Sequence, residues 1–244
     1  MWLILSACIG SFLSVLAHRL PKMLDEEADG LEPTMTLSKP VSSCPNCGVP
    51  IKWYHNIPFL GFLLVHRGTP CCGQKLSVRY LWLEAVATAW GLLVWWQFNG
   101  DPLALWAWGL FGWTLLVAAV VDAKSQWLPD VFTLTLLWAG LVFSALGGEG
   151  EPLSYRVLAA AGVHLAMRGL AEAFKALRGI EGIGGGDLKL LAALAVWLPL
   201  TSVAHALLLS CALQAVWMLA AKSQKAAFGP SICLSGALVA VWLW

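Results

Sequence analysis

Apolar runs of nearly bilayer length recur along this chain, and they constrain its fold more than any other feature. They lie near residues 1–17, 80–98, 103–121, 129–147, 155–175, 188–199, 202–221 and 229–244. A helix needs about 20 apolar residues to cross the hydrocarbon core. With 59% hydrophobic and only 12% charged residues, the chain lacks the charge that a water-soluble surface of this size needs. The expected class is an all-α polytopic membrane protein of about eight transmembrane helices. The run at 188–199 is short and ends at Pro199, so it reads as tilted, partial or re-entrant.

The first run has no positive charge ahead of it, and Arg19 and Lys22 follow it instead. A secretory signal has the reverse order, so the run reads as a retained membrane helix. Residues 18–79 form the only long polar stretch and hold seven of the fifteen Lys and Arg residues. Alternating the spans puts 18–79, 122–128, 176–187 and 222–228 on one side. With Lys175 and Lys189 at its border, that side has thirteen of the fifteen. Basic loops stay in the cytoplasm, so residues 18–79 are expected inside and both termini outside. The chain therefore divides into a first helix (1–17), a small cytoplasmic domain (18–79) and a transmembrane core (80–244).

Residues 18–79 are too few to bury much of a core without a staple. Cys44, Cys47, Cys71 and Cys72 all fall there, which on a reducing face points to a metal rather than disulfides. Cys44-Pro45-Asn46-Cys47 has the spacing with which two thiolates grip one tetrahedral zinc ion. Cys72 is the expected third ligand. Cys71, adjacent to it and awkwardly placed, competes with His55 and His66 for the fourth position. Cys8, Cys211 and Cys233 stand alone in apolar runs and read as small buried hydrophobes.

An acid is expensive at a membrane border and marks a functional site there. Asp187 follows Gly184, Gly185 and Gly186 just where the 188–199 run begins, and Asp122 ends the 103–121 run. Both approach the cytoplasmic border. Two carboxylates in a partly desolvated site do not easily both ionise, an arrangement that suits hydrolysis of a peptide. The glycines leave the backbone bare for a substrate chain to approach. The structural alternatives are that Asp122 caps the following turn or pairs with Lys124, and that Asp187 caps its helix. Asp130, behind a proline at a helix start, reads as a cap. His164, Arg168 and Glu172 share one face of the 155–175 helix, with an Arg168–Glu172 ion pair as the simple reading. Tryptophans near span ends, such as Trp82, Trp95, Trp96, Trp106, Trp127 and Trp244, read as an interfacial belt.

At these residues the chain resembles a family. Glu181-Gly182-Ile183-Gly184-Gly185-Gly186-Asp187-Leu188-Lys189 is similar to the Gly-x-Gly-Asp signature of type IV prepilin peptidases, membrane-embedded aspartic proteases. The stretch from Asp122 to Leu128-Pro129-Asp130 resembles the one that carries the first catalytic aspartate. Gly10-Ser11-Phe12-Leu13-Ser14 with Arg19-Leu20-Pro21 matches a third element, although Ser14 stands where the family usually has Asn. Trp53-Tyr54, Asn56-Ile57-Pro58, Ser77, Arg79-Tyr80, Glu84 and Phe228-Gly229-Pro230 also match. The usual second Cys-x-x-Cys is replaced by Cys71-Cys72.

The resemblance implies a catalytic pair, Asp122 and Asp187, in the bacterial inner membrane. It implies cleavage of the basic leader of prepilins and pilin-like secretion proteins on the cytoplasmic side. It further implies N-methylation of the new amino terminus with S-adenosylmethionine, an activity associated with residues 18–79. Acids such as Asp25, Glu26, Glu27 and Asp29 are candidates for steering the leader. Expected partners are prepilins and membrane lipid, with no nucleic acid. Two other readings stay open: a peptidase without methylation, and an ion-coupled transporter using both aspartates as a relay.

Overall fold

The structure, a computed structural model, describes all residues except 42–43, 45–46, 51–56, 66–70, 74–77, 149, 181 and 222–226. Its secondary structure among the described residues is helical: α1 (Trp2–Ala28), α2 (Leu60–Val65), α3 (Val78–Phe98), α4 (Pro102–Ser125), α5 (Asp130–Ala145), α6 (Leu153–Arg178), α7 (Gly185–Trp197), α8 (Leu200–Ala221) and α9 (Gly229–Leu243). Apart from α2, each helix coincides with one of the apolar runs. Four of them, α1, α4, α6 and α8, are long and apolar enough to cross a membrane, and α5 and α9 are shorter apolar helices. The chain divides into two compact units, Met1–Trp96 and Gln97–Trp244.

In the first unit α1 continues to Ala28, well past the apolar run that ends at residue 17. Gly10 lets α3 come close, since a Cβ there would lie 2.8 Å from the Glu84 Cα. Trp2 Nε1 donates to Gly91 O at 2.8 Å, tying the same pair of helices a second time. Beyond α1, side-chain hydrogen bonds tie the described residues together. Arg19 donates to Thr36 O and Pro40 O at 2.8 and 2.7 Å. Glu26 accepts from the Thr34 amide and hydroxyl at 2.6 and 2.7 Å. Glu26 is therefore engaged in the fold as well as belonging to the acidic run. Glu84, 9% exposed, accepts from the Phe59 amide at 2.8 Å just ahead of α2.

The second unit is built around α7. This helix has 13 residues, of which Leu188 and the whole of Leu190–Trp197 are buried. It packs on α5, α6, α8 and α9, and Pro199 starts the turn into α8. The short run is thus a 13-residue helix buried among its neighbours from Leu190 onward. Its carboxyl end is held from two sides. Trp197 Nε1 donates to Leu136 O at 2.8 Å. Arg156, 4% exposed, donates from Nη1 to Val196 O at 3.1 Å and from Nε to Glu151 O at 2.9 Å.

An aromatic cluster fills the space around this end. Trp197 meets Phe111, Trp108 and Phe143 at centroid distances of 5.1, 5.3 and 5.9 Å, and Trp108 meets Trp244 at 5.4 Å. Trp244 belongs to this cluster. The belt reading fits exposed residues such as Trp82, Trp96, Trp106 and Trp127, but not these mutually packed rings.

Candidate active site

The first carboxylate sits in the last turns of α4. That helix starts cleanly, with Asp101 accepting from the Leu103 and Ala104 amides at 2.9 and 3.1 Å and Pro102 following it, a strong initiation signal. It ends where Gln126 turns left-handed at φ 55° and donates its amide to Asp122 O. The Ser125 hydroxyl lies 2.9 Å from both Val121 O and Trp127 O and closes the turn. The Asp122 side chain is only 5% exposed, and its Oδ2 has no hydrogen-bond partner among the described residues. It does not cap the turn. A buried carboxylate oxygen left unmatched is costly.

The second carboxylate sits in the first turn of α7. Gly184 is the N-cap and offers no side chain, and Asp187 folds back over it, so that a Cβ on Gly184 would meet Asp187 Oδ2 at 3.3 Å. The acid supports the helix amino end, as expected of the third residue of a helix. That role is compatible with chemistry, because Asp187 also lies close enough to Asp122 for direct Coulomb repulsion. Cys233 of α9, 2% exposed, is within electrostatic reach of both. The two acids chosen from the sequence therefore fall at one end of the second unit, Asp122 against Gly229 and Asp187 one residue from the contact of Gly186 with Leu128.

Three glycines shape the meeting point. A Cβ on Gly229, the first residue of α9, would stand 2.5 Å from Asp122 Oδ2 and 3.0 Å from its Cγ. A Cβ on Gly186 would stand 2.9 Å from the Leu128 Cβ and 3.2 Å from Leu128 O. Gly186 thus seats the α4–α5 turn on α7. Gly185 has open space around its Cα, leaving room for another chain.

Asp130 departs from its expected role. The N-cap of α5 is Pro129, with no side-chain cap. The Asp130 carboxylate instead takes Lys189 Nζ on both oxygens at 2.6 Å. Arg168 and Glu172 likewise make no ion pair with each other. With His164, Lys175 and Lys189 they line a cavity of about 290 Å³ between α6 and the amino end of α7. Helix spacing puts them on one face, and that face lines the cavity.

In the first unit the Sγ atoms of Cys44, Cys47, Cys71 and Cys72 all lie within 4.8 Å of one another. Cys44–Cys72 and Cys71–Cys72 are 3.7 and 3.9 Å apart. Four thiolates about 2.3 Å from a tetrahedral zinc stand about 3.8 Å from each other, so the set fits that ion. Cys71 takes its place despite its adjacency to Cys72. His55 and His66, the other candidates for the fourth ligand, lie outside the described residues. Without a cation, Cys47 is pulled down by the Val49 amide. The Cys71, Cys44 and Cys72 thiols and burial outweigh it and push Cys47 up to about 12.

The helical fold with its long apolar helices suggests a membrane protein, and comparison of the sequence gives its class, a leader peptidase. Residues 4–98 match the bacterial peptidase A24 N-terminal domain, and residues 109–219 match the type IV leader peptidase family. The chain belongs to the type IV leader peptidase family. Its relatives include proteins named prepilin leader peptidase/N-methyltransferase. That of Neisseria gonorrhoeae is 34% identical over 97% of this chain and 87% of its own length. That of Klebsiella pneumoniae is 41% identical over 82% and 85%, and that of Pseudomonas aeruginosa 34% over 98% and 89%. No solved structure matches the chain.

Sequence reasoning missed Lys189, Leu128 and Cys233 as neighbours of the site. Gly229 had a signal, its place in a matched Phe-Gly-Pro string, but no stated reason.

Proposed function

We propose that this protein is an intramembrane aspartic endopeptidase that removes the leader of type IV prepilins and pilin-like proteins, and that it methylates the amino terminus so exposed. The observation that carries the reading is the pairing of Asp122 and Asp187, one with an unmatched buried oxygen, at the helix ends of the second unit. In the proposed reaction one carboxylate takes a proton from water as the water oxygen attacks the scissile carbonyl. The other, protonated, hydrogen-bonds the carbonyl oxygen as charge develops there. When the tetrahedral intermediate collapses, the first carboxyl returns its proton to the departing nitrogen. The C–N bond breaks, leaving a carboxylate on the leader and a free amine on the mature chain. Of the three glycines, Gly185, with open space around it, admits the substrate backbone, whereas Gly186 is taken up by Leu128.

The bias of Lys and Arg supports eight spans in the bacterial inner membrane, with residues 18–79 in the cytoplasm and both termini outside. A substrate helix then stays in lipid while its basic leader reaches the site from the cytoplasm. In the first unit zinc, held by Cys44, Cys47, Cys71 and Cys72, would replace the core that the polar stretch lacks. S-adenosylmethionine supplies the methyl group. Much of the stretch associated with it, including Trp53, Tyr54 and Asn56, lies outside the described residues.

Asp122→Asn and Asp187→Asn should each abolish cleavage of a synthetic prepilin peptide, while methylation of a pre-cleaved peptide persists. Full cleavage by both variants would overturn the assignment and favour the ion relay.

A further inference from the structure

We infer that Lys189 and Asp130 are positioning residues that hold the two catalytic carboxylates at their working separation. The inference rests on the peptidase reading above. Lys189 lies two residues beyond Asp187 on α7, and Asp130 lies eight residues beyond Asp122, across the α4–α5 turn. Their bidentate ion pair, 2.6 Å to each oxygen, closes a short circuit from one aspartate to the other. Two helical residues are about 200° apart around the axis. Drawing Lys189 toward α5 therefore leaves Asp187 on the opposite side of α7.

The ion pair works with an apolar seat one turn away. Gly186 fits against Leu128, which is 4% exposed, and Pro129 beside it is also buried. The turn that carries one carboxylate thus docks on the helix that carries the other through two contacts of different kind. The seat resists approach, and the ion pair resists sliding and rotation. Both charges are partly exposed, at 42% for Lys189 and 55% for Asp130, and exposed pairs contribute little to stability. Their effect is on geometry, where a displacement of about 1 Å costs about 100-fold in rate.

The test compares Lys189→Met, Asp130→Asn, the double variant D130N/K189M and the charge swap D130K/K189D on a synthetic prepilin peptide. Each single variant should lose about 100-fold in kcat with KM within about twofold, and its thermal midpoint should stay near that of the parent. D130N/K189M should lose no more than either single variant, and the swap should regain at least about tenfold. Hydrogen exchange should be about tenfold faster at Gly186 to Leu188 in the single variants, a readout independent of catalysis. Unchanged kcat, losses that multiply in D130N/K189M, or unchanged exchange would each overturn the inference. Loss of the dyad reading shows separately, as cleavage that survives Asp122→Asn and Asp187→Asn.

Discussion

Gly229→Ala tests the site geometry with a single methyl group. The new Cβ would stand 2.5 Å from Asp122 Oδ2, 3.0 Å from Cγ and 3.4 Å from Cβ. The first contact must open by about 0.9 Å to reach an ordinary van der Waals distance, and the atom that gives way is the end of a side chain, not backbone. Gly229 is the first residue of α9, where alanine gains up to about 1 kcal/mol in helix propensity. Overpacking costs about 1–3 kcal/mol, so the fold should survive with a small net loss. The Asp122 carboxylate should not keep its place. A shift of that size at a reacting group costs about 100-fold, or about 2.7 kcal/mol of transition-state stabilisation. The assay is kcat for a prepilin peptide in detergent beside the thermal midpoint of the same sample. Gly162→Ala in α6, where no atom lies within 4 Å of the new Cβ, is the control and should keep full activity. A Gly229→Ala enzyme as fast as the parent would refute the placement of Asp122 beneath α9. Activity lost only in proportion to unfolded protein would do the same.

Two further outcomes follow from other parts of the molecule. Purified protein should contain about one zinc per chain. Cys44→Ser should lose it and make residues 18–79 protease-sensitive, so near-zero metal in an intact parent would exclude the staple. Because Cys47 is pushed up to about 12 in the absence of metal, loading must release protons, and affinity should fall as pH is lowered. Arg156→Met should lower the thermal midpoint, since Val196 O loses its buried donor at a cost of about 1–3 kcal/mol. Its rate per folded molecule should be unchanged, because Arg156 anchors the end of α7 remote from Asp187.

Much of this was legible from residue order. Apolar run lengths located the helices, and the cost of acids at a membrane border selected Asp122 and Asp187. Cysteine spacing found the thiol cluster, although adjacency made Cys71 look doubtful when its Sγ in fact sits 3.9 Å from that of Cys72. Local rules failed where a distant partner outbid a near one. Asp130 at a helix start has the composition of a cap, yet Lys189, 59 residues away, takes both its oxygens. Arg168 and Glu172 stand at pairing distance on an ideal helix, yet they line a cavity without forming an ion pair with each other. Trp244 at a span end looks interfacial until Trp108 is found packed against it. No periodicity in the chain records such neighbours, because they exist only after the helices pack.

The burial of α7 has a consequence for how this molecule meets its membrane. At 13 residues the helix is about 20 Å long, well short of the roughly 30 Å hydrocarbon thickness. It is screened by its neighbours and has almost no lipid-facing surface. Thickening or thinning of the bilayer acts first on the outer helices through their tilt, and reaches α7 only through its ties to α5 and α6. The aspartate at its amino end therefore feels the lipid only at second hand, so acyl-chain length should govern how a substrate helix arrives more than the cutting step itself.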